Sequence, residues 1–213
     1  MAAPWQITRE MFLSVEEAGG LLGHVESRCG GASERLDRLI IEVLLFSGIR
    51  SSEFCKLTIA DSVLSTGQSA LEVQGNGRNA RTVCVPQRVG QLIREYARVD
   101  RRICLDEPLP KTMLAAPLVV TERGRPFERT GLYRRVVRIL TDAGLGDRAS
   151  VQLLRHTYGY LAYLSSGGNL LFVQRQLGHA HPMITSIYAQ FVDEDYEAIA
   201  DQTASYFEMT PSN

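Results

Sequence analysis

The strongest constraint on the fold of this chain comes from residues 35–47, where apolar side chains recur with the period of an α-helix. They stand at positions i, i+3, i+4, i+7 and i+8 and are Leu36, Leu39, Ile40, Val43 and Leu44. This spacing predicts a helix with a wide buried face. Gly48 follows as a residue type that commonly ends helices. The 213 residues of the chain are enough to build the hydrophobic core that such a face requires.

Similar patterns predict further helices and one small sheet. Helices are predicted at 14–25, 51–57, 130–141, 151–165, 169–177 and 182–191, with one beginning at Pro86 and a last one in the acidic tail at 193–207. Residues 69–75 and 81–86 alternate like the two strands of a hairpin, and GNGRNA between them supplies turn residues. The segment PLVV at 117–120 predicts a third short strand, and the Pro-rich stretch 105–117 a loop. The expected fold class is mainly α with a small antiparallel sheet (α+β).

Composition excludes several classes of protein. No apolar stretch approaches the ~18 residues that a membrane span requires, and the N-terminus lacks the charged start and apolar run of a secretory signal. The cysteines are widely spaced without a CxxC pair, which favours neither a zinc site nor a disulfide framework; they are Cys29, Cys55, Cys84 and Cys104. We therefore expect a cytoplasmic protein with no membrane partner.

The net charge of −1 hides an uneven distribution along the chain. Residues 78–155 hold sixteen basic side chains against eight acidic ones, whereas the segment from Asp193 onward holds six acids and no base. Of the 23 basic residues, only Lys56 and Lys111 are lysines. Arginine suits phosphate because its planar fork binds two oxygens at once, although GC-rich coding produces the same bias. The chain thus has a basic middle and an acidic end.

Four short segments carry residues suited to phosphate chemistry. SGIRSSEFCKLTIAD places Arg50 at a turn between two helices, and QLLRHTYGY places Arg155 early in a helix. LGHAHPMITSIYAQ places His179 just after a helix end and Tyr188 nine residues later, and GNGRNARTVCVP forms the predicted hairpin. His179 and His181 have no evident third ligand, so no metal site is expected.

In order and spacing these segments resemble the tyrosine recombinase family, the phage-integrase class of site-specific recombinases. The family pattern TGLRxxELxxLxxxD matches at Arg50, Glu53, Leu57 and Asp61. The patterns HxLRHTFAT, LGHxxxxxTxxYxH and GKGNKERxVPL resemble the other three segments. The resemblance runs from about Phe12 to Phe191 and implies a tyrosine-recombinase catalytic-domain fold.

The resemblance also implies a chemistry. Tyr188 would attack a DNA phosphate and form a covalent 3′-phosphotyrosine with a free 5′-hydroxyl, while Arg50, Arg155 and His179 bind the phosphate oxygens. Tyrosine is a weak nucleophile at neutral pH because its pKa is ~10, so the developing charge on the phosphate has to be neutralised. Because the phosphoester is kept on the protein, the reaction needs no ATP, and we expect no metal or other cofactor.

Two positions depart from the family pattern. Gln152 stands where the family has His, and Asn76 aligns with the hairpin lysine that protonates the departing 5′-oxygen. Arg78 or Arg81 can contribute charge there, but arginine holds its proton too tightly to be a good general acid. The alternative function is therefore a degenerate, catalytically weak or inactive module that binds DNA or a partner. A nickase resembling type IB topoisomerases is a third, weaker option.

Each candidate residue also has an ordinary structural interpretation. Arg50 can compensate a helix dipole, Arg155 can form an ion pair with Glu53, and Tyr188 lies on an apolar stripe typical of a core. His156 is interpreted as a supporting residue that holds the Arg155 segment. Four unrelated core residues are not expected to fall on the family spacing by chance, which favours the functional interpretation.

For the domain organisation we expect a single catalytic domain over 1–213, with a core at 12–191 and an acidic tail or helix at 192–213. No separate N-terminal DNA-clamping domain is expected in this chain. The implied partners are double-stranded DNA and a second copy or a related recombinase on DNA, with the tail as a candidate contact.

Overall fold

The computed structural model of this chain describes residues 7–28, 30–63, 69–75, 80–105, 108–180 and 183–192. The helices are α1 Val15–Ser27, α2 Ala32–Ser47, α3 Ser51–Phe54, α4 Gln87–Val99, α5 Lys111–Leu114, α6 Arg129–Asp142, α7 Val151–Ser165, α8 Leu170–Leu177 and α9 Met183–Ser186. The strands are β1 Ser62–Val63, β2 Ala70–Val73 and β3 Arg81–Cys84. The predicted class, mainly α with a small antiparallel sheet, is confirmed. Within these ranges no helix combines the length and the apolar character needed to cross a bilayer.

Helix α2 lies at the centre of the fold and packs against α1, α4, α6 and α7. Its predicted apolar face is buried, and Ile41 and Leu45 are buried as well, so most of its circumference is covered. The helix ends at Gly48, where φ is +61°. A Cβ at Gly48 would lie 2.4 Å from the Tyr158 ring, so both the backbone conformation and the close approach of α7 require glycine here.

Side-chain caps fix the helices that surround the candidate site. Ser150 accepts a hydrogen bond from the Leu153 backbone N–H and starts α7, and Asn169 does the same for Phe172 at the start of α8. Helix α8 ends at Gly178 with φ +65°. These local signals are why the predicted bounds of both helices agree with the structure to within a residue.

The three strands form one antiparallel sheet in the order β1-β2-β3, with Val73 opposite Arg81 at the end nearest the hairpin turn. The prediction of a third strand at 117–120 is wrong, because the third strand of the sheet is β1. Backbone groups of the PLVV segment are satisfied elsewhere: Arg101 donates to Leu118 O, and Val120 both donates to and accepts from the Tyr96 hydroxyl. Residues of this segment therefore take part in isolated bridges only.

Three other predictions need correction. The expected loop at 105–117 contains the short helix α5, and the helix expected at 51–57 ends at Phe54. The helix expected at 182–191 is broken into α9 and a 3₁₀ turn at Ala189–Phe191. There the Tyr188 N–H donates to Thr185 O, a tight i→i+3 bond that interrupts the α-helical pattern. The helix predicted at 193–207 lies outside the described residues.

A buried carboxylate joins α2 to its neighbours. Glu42 is fully buried in α2, and its two oxygens accept hydrogen bonds from Arg38 Nε at 2.7 Å and from Arg88 Nε of α4 at 2.9 Å. Arg88 also pairs with Glu26 of α1. A buried charge is tolerated only when it is paired in this way.

Replacing Glu42 by Ala should lower the free energy of unfolding by about 2 kcal/mol, because charge-assisted hydrogen bonds are lost and the arginines are left facing a void. Urea unfolding followed by circular dichroism measures the change. Glu95 is an exposed glutamate on α4, and Glu95→Ala should stay within ~0.5 kcal/mol of the parent. Equal losses in the two variants would contradict a stabilising role for the Glu42 cluster.

Candidate active site

Arg50 is positioned by the turn between α2 and α3. It is the N-cap of α3, and the Glu53 carboxylate accepts from its backbone N–H at 2.7 Å and from its Nη1 at 3.1 Å. Glu53 is buried, whereas the Arg50 side chain is 45% exposed. The carboxylate thus holds the backbone N–H and one guanidinium nitrogen of Arg50, while much of the side chain remains exposed at the protein surface.

Arg81, the first residue of β3, holds the other side of Glu53. Its two terminal nitrogens bind the two carboxylate oxygens at 2.8 and 3.0 Å, and its Nε donates to Gln176 O at 3.0 Å. Burial acts to raise the pKa of Glu53, but hydrogen bonds from Arg81 and from the Arg50 backbone outweigh it and hold the pKa at about 2. Glu53 is therefore a permanent anion between two arginines.

Arg155 is buried in the second turn of α7. It donates to Gly48 O at the end of α2 and, at 2.9 Å, to Leu177 O at the end of α8. Within the described residues Glu53 pairs with Arg50 and Arg81 and not with Arg155, so the ion-pair interpretation of Arg155 is wrong. Burial, together with the nearby Arg50, lowers the pKa of Arg155 to about 10.

The three arginines meet at the C-terminus of α8. Consecutive carbonyls of Gln176, Leu177 and Gly178 accept from Arg81, Arg155 and Arg50 respectively. The last carbonyls of a helix lack partners within the helix and carry the negative end of its dipole, so they attract cations. We call Arg50, Arg81 and Arg155 the arginine cluster.

His179 directly follows this helix end. Its Nδ1 lies 3.0 Å from the hydroxyl oxygen of Thr185, which is fully buried. Burial and the neighbouring Arg155 and Arg50 lower the pKa of His179 to about 3, so the imidazole is neutral at pH 7. In the tautomer whose Nδ1 accepts from the Thr185 hydroxyl, Nε2 carries the proton and is the donor available to a ligand.

Two clefts meet at Arg50. The larger, of about 860 Å³, lies between α3, the hairpin and the end of α8; its charged and titratable lining residues are Arg50, Glu53, Lys56, Arg81, Arg175 and His179. The smaller, of about 620 Å³, lies between α3, α6 and the start of α7, and Gln152 and Arg129 line it. Gln152 therefore lines the smaller cleft with Arg50, whereas His179 lines the larger one. The two residues lie on opposite sides of Arg50.

Tyr188 is buried away from both clefts. Its side chain is 1% exposed, and its hydroxyl lies 3.2 Å from His156 Nδ1. Burial raises the pKa of Tyr188 to about 12 and, with Arg155, lowers the pKa of His156 to about 4. The structure thus brings Arg50, Arg155 and His179 together and holds the tyrosine hydroxyl against α7. His156 contacts this hydroxyl, a role that the sequence alone did not indicate.

Packing of Tyr188 depends on a glycine in α7. An added Cβ at Gly159 would lie 2.3 Å from the Tyr188 ring carbon Cζ and 2.5 Å from its hydroxyl oxygen. Gly159→Ala should therefore displace the ring towards solvent, raise its reactivity to nitration by tetranitromethane, and lower the phenol pKa from about 12 towards the ordinary ~10. Mass spectrometry of nitrated peptides measures the effect at Tyr188.

Gly131 provides the control for this substitution. It lies within α6, and a Cβ there has no heavy atom within 4 Å. Gly131→Ala should leave nitration of Tyr188 unchanged and stabilise the helix by up to about 1 kcal/mol. Protection of Tyr188 in both variants would contradict the packing described here.

Some sequence-based candidates fall outside this geometry. Asn76, Arg78 and His181 lie outside the described residues. In the described part of the chain, no three His, Cys, Asp or Glu side chains are grouped in a way that could hold a metal ion. The sequence did not indicate that Lys56 lines the cleft or that Arg81 binds both oxygens of Glu53. The match of Arg81 to the R of the hairpin pattern GKGNKERxVPL was the available signal for the latter.

Two curated tyrosine recombinases are similar to this chain in sequence. Tyrosine recombinase XerC of Thermodesulfovibrio yellowstonii is 30% identical over 158 residues, which cover 71% of this chain and 49% of that protein. XerC of Chlorobaculum parvum is 30% identical over 205 residues, covering 90% of this chain and 60% of its own. The chain thus spans about half the length of the curated relatives it matches.

A solved structure shares the fold over most of the chain. The XerH site-specific recombinase bound to its difH substrate in a pre-cleavage complex superposes with a TM-score of 0.72 and 26% identity, covering 94% of this chain and 55% of that one. The sequence profile of the Phage integrase family matches residues 11–194, which include every member of the arginine cluster, His179 and Tyr188. The chain therefore belongs to the Phage integrase family.

Proposed function

We propose that this chain is a site-specific tyrosine recombinase that breaks and rejoins double-stranded DNA through a 3′-phosphotyrosine. The observation that carries the proposal is the arginine cluster, held by one helix end and one carboxylate beside His179 in an open cleft. The similarity to XerC and XerH favours this enzyme over a degenerate binding module.

In the proposed site, Arg50 is the principal phosphate ligand. Its guanidinium is exposed and lines both clefts, so it can bind the non-bridging oxygens of a phosphate lying across the site. His179 adds its Nε2–H to the same oxygens. Arg155 lies deeper and supports the cluster with a positive charge that is largely screened from water. Gln152 can donate a hydrogen bond from the second cleft.

Tyr188 supplies the nucleophilic oxygen in this proposal. The phenol loses its proton to water, its oxygen bonds to phosphorus, and the bond from phosphorus to the 5′-oxygen breaks. Because the hydroxyl now contacts His156, the segment from Thr185 to Phe191 has to shift when DNA binds. This segment is a short helix and a 3₁₀ turn rather than one continuous helix, which makes such a shift less costly.

Covalent trapping tests the proposed function. The probe is a pool of duplexes with a randomised centre and a nick in one strand, placed so that cleavage releases a short fragment and prevents religation. We expect an adduct that survives detergent and links the DNA 3′ end to the Tyr188 peptide in mass spectrometry. The absence of any adduct across the pool would overturn the proposal, and adduct at another residue would reassign the nucleophile.

DNA affinity should depend on salt through the phosphate contacts. We expect log K to fall linearly with log salt, with a slope near −0.9 per phosphate contacted. Arg50→Ala should reduce the size of that slope by about one phosphate contact. Arg28, which follows α1, pairs with Asp142 at the end of α6 and lines neither cleft; it serves as the control, because Arg28→Ala should leave the slope unchanged. Fluorescence anisotropy at several salt concentrations measures both, and equal slopes in all three proteins would contradict a phosphate contact by Arg50.

We further propose that residues 12–191 form the catalytic unit and that two or more copies act together on DNA. The acidic composition of residues 193–213 supports an electrostatic contact with a basic face of another copy or of a related recombinase.

A further inference from the structure

Strand cleavage in this site leaves one chemical requirement without an obvious residue. The departing 5′-oxygen would leave as an alkoxide, a poor leaving group, unless a side chain gives it a proton as the bond breaks. The family pattern supplies a hairpin lysine for this purpose, and Asn76 stands at that position in this chain. An asparagine amide does not donate a proton to an alkoxide at neutral pH.

The other titratable side chains of the site are poorly suited to give a proton to the 5′-oxygen. An arginine in the cleft is a poor proton donor because a guanidinium holds its proton tightly, and Arg155, whose pKa is lowered, is buried and does not line the cleft. The carboxylate of Glu53 is deprotonated, and the imidazole of His179 is already neutral at pH 7. A lysine ammonium is the remaining side chain type in the cleft that both carries an acidic proton and can regain it.

The chain contains two lysines, and their places in the fold differ. Lys111 begins α5, away from both clefts. Lys56 lies two residues beyond α3, is exposed, and lines the cleft together with Arg50, Arg81 and His179. Within the described residues the Lys56 amine has no carboxylate within ion-pair distance, so it is available to a ligand.

Lys56 also shares its cleft with the residues that follow β2 and precede β3. Gly75, two residues beyond β2, and Ala80, directly before β3, line the same cleft as Lys56. Because Lys56 and both of these hairpin residues line one cleft, the long and exposed Lys56 side chain opens into the same space as the described part of the hairpin.

We propose that Lys56 is the general acid for the departing 5′-oxygen, having taken over from the hairpin position occupied by Asn76. As the Tyr188 oxygen bonds to phosphorus and the bond to the 5′-oxygen breaks, one Lys56 proton passes to that oxygen and leaves a neutral amine. In rejoining, the amine takes the proton back from the 5′-hydroxyl as the phosphotyrosine bond breaks. This inference rests on the proposed function.

The test compares two versions of a nicked duplex recovered from the trapping pool. One has an ordinary phosphodiester at the cleavage site, and the other has sulfur in place of the bridging 5′-oxygen. A thiolate leaves without a proton because thiols are far more acidic than alcohols. Lys56→Ala should slow adduct formation on the phosphodiester by ~10²–10⁴-fold and leave the rate on the sulfur substrate within a few-fold of the parent.

Three further variants separate proton transfer from charge and from folding. Lys56→Arg keeps the positive charge but not the transferable proton, so it should bind DNA normally and cleave the phosphodiester as slowly as Lys56→Ala. Adding Asn76→Lys to Lys56→Ala should restore cleavage by returning a lysine to the hairpin. Lys111→Ala is the matched control and should cleave both substrates at the parent rate.

The outcomes distinguish the inference from the proposed function. If the parent protein forms no adduct on either substrate, the proposed function fails and the role of Lys56 fails with it. If the parent forms adducts and Lys56→Ala cleaves the phosphodiester equally well, only the assignment of Lys56 is overturned. Equal slowing of both substrates would also overturn it, because a general acid is not needed for the sulfur leaving group.

Discussion

Replacing Tyr188 by Phe should abolish covalent attachment to DNA while leaving DNA affinity nearly unchanged. The substitution removes the phenolic oxygen that would bond to phosphorus, whereas the ring keeps its packing against Gly159. Loss of the hydrogen bond to His156 should cost about 1 kcal/mol of stability, too little to unfold the domain. The detergent-resistant adduct and the dissociation constant are measured on the same nicked duplex.

Tyr160 provides a matched control for this variant. It lies in α7, where its ring packs 4.5 Å from the Phe12 ring, centroid to centroid. Tyr160→Phe should form adducts at the parent rate. An adduct that persists in Tyr188→Phe at the parent level would show that another residue is the nucleophile, and loss of the adduct in both variants would point to damage to the fold.

Substituting Arg155 by Lys should slow cleavage by ~10²–10³-fold or more, an effect comparable to losing an oxyanion-stabilising donor. Arg155 bridges Gly48 O and Leu177 O, and a lysine ammonium cannot reproduce that planar fork from one buried position. The end of α8, which carries His179, would then lose its tie to the end of α2. Single-turnover cleavage at saturating protein separates this effect from weaker binding.

Arg135 provides the control for Arg155→Lys, because it is a largely buried arginine outside the site. It pairs with Asp37 of α2 and with Glu122, and its side chain is 11% exposed. Arg135→Lys should lower stability while leaving the cleavage rate of the folded protein unchanged. Cleavage by Arg155→Lys at the parent rate would remove Arg155 from the proposed phosphate site.

Local signals account for the parts of the fold that the sequence predicted well. The bounds of α7 and α8 follow from Ser150, Asn169 and Gly178, each of which acts on backbone groups within four residues of itself. The central helix α2 follows from the width of its apolar face. Recognition of Arg50, Arg155, His179 and Tyr188 as a set came from segment order and spacing, which also depend on the sequence alone.

Features that depend on distant contacts were not predictable in this way. The segment at 117–120 has the composition of a strand, but Tyr96 and Arg101 from the preceding helix region satisfy its backbone groups instead. The apolar stripe around Tyr188 indicated a buried ring, but no local pattern indicated its contact with Gly159, which lies 29 residues earlier in the chain. Lys56 became a candidate proton donor only because the structure places it in the same cleft as the hairpin residues Gly75 and Ala80.

The hydrogen bonds at the end of α8 have a consequence for how charge is balanced in the site. Arg50 and Arg81 share the Glu53 carboxylate, whereas Arg155 is held by neutral carbonyl dipoles alone, so one carboxylate stands against three guanidinium groups. Dipoles hold the cations together without cancelling a full unit of charge, so two positive charges remain. A phosphodiester brings a single negative charge, and the five-coordinate phosphorus formed during attack carries more. The excess of cations therefore suits the transition state better than the bound substrate, which is the condition for faster chemistry rather than merely tighter binding.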